Sequence, residues 1–152
     1  MGAVGFIGGG MMATALIKGL RAAQPDLEIL VADPNPQRGE ILAGLGVTTF
    51  SKNKSMLAAL ASREMEGLVL AVKPQTVREA LAGLEVPAGP LLSIVAGYSI
   101  SALERHLPPA VRVLRAMPNT PALIGKGVTA LAAGSAGQEK EVDWAKGILD
   151  GL

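Results

Sequence analysis

The sequence predicts an α/β fold, a doubly wound, mostly parallel sheet with helices on both faces. Short apolar runs of strand length alternate with segments whose apolar residues recur at helical spacing. Most connections between successive strands are long enough to hold a helix, which is what a parallel pair needs. No internal repeat or flexible linker interrupts this alternation.

Ala3 to Ile7 is a short apolar run stopped by Gly8-Gly9-Gly10, the pattern of a buried parallel strand. Ala13, Leu16, Ile17 and Leu20 then recur at helical spacing as far as about Ala23. Leu27 to Ala32 is a second strand, closed by Asp33-Pro34-Asn35-Pro36. Gln37 to Leu45 reads as a helix ending at Gly46, and Val47 to Phe50 as a brief third strand. Asn53 to Ala61 is a helix, Gly67 to Val72 a fourth strand, Gln75 to Leu84 a helix and Leu91 to Val95 a fifth strand. Ser101-Ala102-Leu103-Glu104 has the form of a capping box opening a short helix. A strand at Val111 to Arg115 follows, then a Pro-rich loop and a weakly alternating strand at Val128 to Ala132. Ser135-Ala136-Gly137-Gln138 caps a last helix that runs toward the C-terminus.

The 152 residues suit a single domain, residues 1–152. Hydrophobic residues make up 49% of the chain, ample for a core, and aromatics only 3%, so Ala, Val, Leu and Ile must do the packing. A formal charge of +1 without a basic run argues against a nucleic-acid partner. The apolar N-terminus carries no charge before Lys18 and is broken by three glycines, which argues against a signal peptide or a membrane span. The absence of cysteine excludes disulfides and thiolate chemistry and fits a cytoplasmic location. No cluster of His, Asp and Glu suggests a metal.

Gly8-Gly9-Gly10-Met11-Met12-Ala13 matches G-x-G-x-x-A between the first strand and the first helix, the fingerprint of a Rossmann-like dinucleotide site. Gly8 permits the tight turn, Gly10 has no Cβ to obstruct a pyrophosphate, and Ala13 lets the helix approach the sheet. The helix N-terminus offers free N–H groups and a positive dipole end to phosphate. Asp33 ends the second strand, where a carboxylate binds a ribose 2′-hydroxyl and favours NAD; the bland reading is an Asp-Pro turn. Arg38 either supplies a charge for the 2′-phosphate of NADP or is a solvated helix residue.

Gly5-Phe6-Ile7-Gly8, Ala71-Val72-Lys73-Pro74-Gln75, Ser93-Ile94-Val95-Ala96-Gly97 and Met117-Pro118-Asn119-Thr120-Pro121 follow one another in an order and spacing that resembles pyrroline-5-carboxylate reductase along essentially the whole chain. The resemblance implies reduction of 1-pyrroline-5-carboxylate to L-proline by NADP(H), with NAD(H) possible. It also implies a coenzyme domain followed by a helical domain that dimerises and completes the active site, so that the full-length enzyme is a homo-oligomer. Carried over position by position, Ile7, Gly8, Gly9, Gly10, Met11 and Met12 would cradle the pyrophosphate. Asp33 and Asn53 would serve the adenosine side, Ala71, Val72, Lys73 and Pro74 would line the dinucleotide, and Val95, Ala96 and Gly97 would lie under the nicotinamide. Asn119 and Thr120 are candidates for positioning the substrate.

Each of these has a quieter alternative: Asn53 as a helix cap, Lys73-Pro74 as a strand end, Met117 to Pro121 as a rigid turn. His106 reads as a solvated helix-end residue. Met11 departs from the polar residue usual in that family, and the helical domain's Ser-Gly-Ser-Gly-Pro-Ala-type signature is absent. The expectation is therefore a piece that binds cofactor without full activity. On the same expectation the apolar face of the last helix (Val142, Ala145, Ile148, Leu149), left exposed, drives self-association. Rival readings are a 3-hydroxyacid- or prephenate-type dehydrogenase and a non-catalytic NAD(P)-binding module.

Overall fold

A computed structural model describes residues 2–118, 129–134, 138–150 and 152. Seven strands form one sheet in the order β3-β2-β1-β4-β5-β6-β7. They are β1 (Ala3–Ile7), β2 (Glu28–Ala32), β3 (Thr48–Phe50), β4 (Met65–Leu70), β5 (Gly89–Ser93), β6 (Val111–Pro118) and β7 (Thr129–Ala133). The first six run parallel and β7 lies antiparallel beside β6. The chain builds outward from β1 to one edge, then returns to start again at β4. The carboxyl ends of β1 and β4 therefore diverge into connections on opposite faces, and a crevice opens between them.

Two apolar layers sandwich the sheet. On one side α1 (Met11–Ala23), α2 (Pro36–Ala43) and α6 (Glu139–Leu149) pack on Val4, Phe6, Ile29, Val31, Val69, Leu92 and Leu114. On the other α3 (Asn53–Leu60), α4 (Val77–Leu81) and α5 (Ile100–Glu104) pack on Ile7, Leu30, Leu68, Leu70, Leu91 and Val113. Alternate residues of each central strand serve opposite layers, so the strands read as unbroken apolar runs. Leu16, Ile17 and Leu20 of α1 are fully buried; each contributes about 1.5–3 kcal/mol by leaving water.

Several expected boundaries move. β4 and β5 begin and end two residues earlier than the apolar runs suggest, which turns Ala71 to Lys73 and Ile94 to Gly97 into loops on the rim. The expected helix from Gln75 to Leu84 is a single 3-10 turn at Pro74–Thr76 followed by the short α4. α5 is capped by Ser99, whose side chain accepts from the Ala102 N–H, and not by Ser101. The last helix starts after Gln138, whose N–H donates to the Glu141 carboxylate at 3.2 Å. Its apolar face is not left open: Ala145 and Ile148 are buried and Val142 and Leu149 pack on the α1 layer, which removes the basis for self-association through that face.

Candidate functional site

A cleft of about 550 Å³ opens at the carboxyl ends of β1 to β4, beside α3 and α4. Its floor is set by ladder bonds that carry the sheet to its rim: Gly8 N–H donates to Ala32 O at 2.9 Å, and Ala71 N–H to Ile7 O at 2.8 Å. At Gly8 the chain turns with φ +99°, and a Cβ there would lie 2.5 Å from Ala71 O. Only glycine fits. At Gly10 the situation is reversed, since an added Cβ would meet nothing within 4 Å. Gly10 lines the cleft and caps α1 without a side chain, and no acidic residue occupies the first turn. No side chain caps the amides that open α1, and the space beside Gly10 is left clear at that positive dipole end.

Of the residues singled out in the sequence, Gly8, Gly10, Asp33, Asn53, Ala71, Val72 and Lys73 line this one cleft. The others that the structure describes do not line it. Ile7 and Gly9 are buried, so only their backbone is available. Met11 projects into solvent with 70% of its surface exposed, and Met12 is half-buried. Pro74 is exposed beyond the cleft, fixing the 3-10 turn that follows Lys73. Val95 is 1% exposed and packs in the core, which leaves Ala96 and Gly97 as the exposed part of that loop. Asn119 and Thr120 lie outside the described residues.

The side chains refine the sequence reading. Asp33 is neither free nor confined to a local turn: Oδ2 accepts from Gly9 N–H at 2.9 Å and Oδ1 from Asn35 N–H at 2.8 Å. Asn53 does not cap its helix, because Lys52 holds the cap position. Its Nδ2 instead donates to Ala80 O at 3.3 Å, tying α3 to α4 across the cleft wall. His106 is half-buried and pairs with the Tyr98 hydroxyl at 3.0 Å, so it is not a solvated helix end. Lys52, Lys54 and Lys73 line the cleft against Asp33 and Glu79, three cationic side chains to two anionic ones. Lys52, Lys54 and Glu79 were not among the expected site residues; the lysines flanking Asn53 were the available signal.

A second hollow of about 470 Å³ lies at the opposite rim, between Arg21, Glu28 and Arg63. Its charges are already answered, Arg63 by Glu28 at 2.5 Å and Arg21 by the carbonyls of Pro25 and Leu27. Among the described residues there is no group of three or more metal-ligating side chains, and no helix is long and apolar enough to cross a membrane.

Comparison with known proteins gives the family and agrees with the overall fold. The family model described as NADP oxidoreductase, coenzyme F420-dependent, matches residues 3–97. The chain belongs to this family. Within this NADP oxidoreductase family the chain is 39% identical over 132 residues to pyrroline-5-carboxylate reductase of Pasteurella multocida, a match covering 84% of the chain and 48% of that protein. Among solved structures it is similar to pyrroline-5-carboxylate reductase of Coxiella burnetii, with TM-score 0.85, 28% identity, and 97% and 55% of the two chains covered. The Plasmodium falciparum pyrroline carboxylate reductase with NADP bound shares the fold at TM-score 0.70 and 22% identity, covering 98% and 54%. The chain spans about half the length of these relatives.

Proposed function

We propose that the chain is the dinucleotide-binding half of a pyrroline-5-carboxylate reductase. The observation that carries this reading is the cleft at the β1/β4 crevice, where Gly8 at positive φ and the open space at Gly10 precede an acid-free helix N-terminus. The relatives of that name at 39% and 28% identity support the substrate assignment.

The residues present fit a nicotinamide dinucleotide. The backbone amides at Gly10 and the first turn of α1 bind the diphosphate, and the space a Cβ would take at Gly10 admits it. Asp33, Asn53, Lys52 and Lys54 surround the adenosine end, and Ala71 to Lys73 line the middle of the cofactor. Ala96 and Gly97, exposed after β5, form the surface beneath the nicotinamide. We assign NADP(H) as the working cofactor, with NAD(H) accepted. The excess of lysine along the cleft favours an added 2′-phosphate, and both Asp33 oxygens are already engaged by backbone N–H groups.

When bound, the reduced nicotinamide supplies a hydride to C5 of the imine, whose protonated nitrogen becomes the ring amine of proline. This chain's part is placement, holding cofactor and imine in register with water kept away. Asn119 and Thr120 are assigned to substrate positioning from their sequence segment alone. Groups that hold the substrate carboxylate belong to the helical half that this family of reductases places after the coenzyme domain.

Isothermal titration of the chain with NADPH and with NADH is the direct test. Heat of binding from NADPH, with weaker binding of NADH, is expected; silence from both overturns the site. In a steady-state NADPH oxidation assay with 1-pyrroline-5-carboxylate the chain alone gives at most about a hundredth of an enzyme's usual turnover of about 10 per second. A chimera carrying the second half of the Pasteurella relative restores it. A folded chimera that binds NADPH but leaves it unoxidised by this imine overturns the substrate assignment.

A further inference from the structure

The backbone of Gly9 is held at both ends by side chains, one from the loop after β2 and one from α2. Its N–H donates to Asp33 Oδ2 at 2.9 Å, and its carbonyl accepts from Arg38 Nε at 2.8 Å. Arg38 Nη2 continues to Thr14 Oγ1 at 2.5 Å, and Thr14 Oγ1 donates to Gly10 O at 2.8 Å. Both bonds at Gly9 are charge-assisted, and they hold two successive peptide groups: the carboxylate takes the N–H of the Gly8–Gly9 peptide and the guanidinium the carbonyl of the Gly9–Gly10 peptide. Only a guanidinium offers two N–H groups in a rigid fork able to meet two acceptors at once.

Gly8, Gly9 and Gly10 would otherwise be a very mobile stretch of backbone. They must nevertheless present the α1 amides to an anion in one arrangement. Packing restricts Gly9 on its own side, where an added Cβ would lie 2.5 Å from Leu42 Cδ1. The Asp33–Arg38 clamp adds a hydrogen bond to each of the two peptide planes that flank its α-carbon. Arg38 itself is half-buried and does not line the cleft.

We propose that Arg38 is a positioning residue for the dinucleotide: with Asp33 it fixes the peptides on either side of Gly9 and so pre-forms the glycine loop for a diphosphate, and it does not read the 2′-phosphate of NADP. This rests on the reading of the cleft as a dinucleotide site. An ordered loop loses less freedom on binding, so the benefit falls on every ligand that carries the diphosphate and on no other.

The test is a titration series on the parent chain, Arg38→Met and Arg38→Lys with NADPH, NADH, ADP-ribose and adenosine 2′-monophosphate. Arg38→Met is expected to weaken NADPH, NADH and ADP-ribose by the same factor, about tenfold, the scale of one charge-assisted bond. It leaves adenosine 2′-monophosphate unchanged, and Arg38→Lys, able to reach one acceptor, recovers part of the loss. Thr14→Val removes the far end of the fork while preserving shape, and gives the same pattern more weakly; it carries the test if Arg38→Met does not fold. Loss confined to NADPH and adenosine 2′-monophosphate would make Arg38 a 2′-phosphate ligand and overturn the proposal. So would unchanged affinity for all four ligands, or an equal loss for all four. A parent chain that binds none of them refutes the dinucleotide site itself, a different result from a binding parent with an indifferent Arg38 variant.

Discussion

A side chain added at Gly10 has room in the protein, and the residue has the extended backbone of a helix cap, φ −74° and ψ −165°. Serine is a better cap than glycine by a few tenths of a kcal/mol, because its hydroxyl accepts from an amide of the first turn. Gly10→Ser is therefore expected to hold or raise the melting temperature, by about 1 °C. The same hydroxyl takes an amide that the diphosphate needs, so binding of NADPH falls at least about tenfold. Differential scanning fluorimetry and calorimetry on one sample check both signs. A variant that binds NADPH like the parent would show that the α1 amides are not the anion site. Gly8 and Gly9 behave differently, since a Cβ at Gly8 would strike the Ala71 carbonyl, so that its variants lose fold and ligand together, whereas one at Gly9 would have to displace the Leu42 side chain. Three successive glycines thus answer to three constraints: backbone conformation, helix packing and ligand.

At the scale of the element, α6 is fastened to β6 by the Glu141–Arg112 ion pair, with Glu141 only 2% exposed. Burial works against ionisation of Glu141, yet its own backbone N–H, the Arg112 guanidinium and the Lys140 charge together hold its carboxyl below the ordinary value of 4.5. A lowered folded value means that the stabilisation is present above the unfolded value and lost as pH falls through the folded one. Glu141→Gln should therefore unfold at lower urea than the parent at neutral pH, with the gap closing as the pH is taken below about 4.5. Urea midpoints followed by emission of the single tryptophan, Trp144 in the same helix, measure it; a gap independent of pH would refute the pair's role. This pair was not legible in the sequence, because Arg112 and Glu141 meet only once β6 and α6 are packed. What was legible is what depends on near neighbours: the seven strands and most helices were visible in their apolar spacing, α5 in a cap signal, and the glycine turn in six consecutive residues. The apolar runs misplaced the ends of β4 and β5, since Ala71 and Val72 are apolar enough to continue a strand although β4 ends at Leu70 and only the Ala71 N–H still bonds to β1. The cap moved from Ser101 to Ser99 because two serines two residues apart offer equal local chemistry. The Asp33–Gly9–Arg38 clamp was hidden for the same reason as the ion pair, being a contact across 24 and 29 residues of chain.

For the molecule as a whole, binding to the folded state alone must raise its stability. At NADPH a hundredfold above its dissociation constant the gain is about 2.7 kcal/mol, which for a domain of this size raises the melting temperature by about 5–10 °C. A shift of that size from NADPH, absent with nicotinamide mononucleotide at the same concentration, is expected; equal shifts from both would mean that the adenosine half contributes nothing. The sheet order carries a wider consequence. The crevice exists because the chain leaves β1 toward one side of the sheet and β4 toward the other, so routing creates the hollow and side chains merely furnish it. Lys52, Lys54, Lys73 and Glu79 can then be exchanged one by one, even for residues of opposite sign, while the hollow persists. Under the proposed dinucleotide reading, changes at those four positions alter what the hollow holds while the scaffold stays as it is.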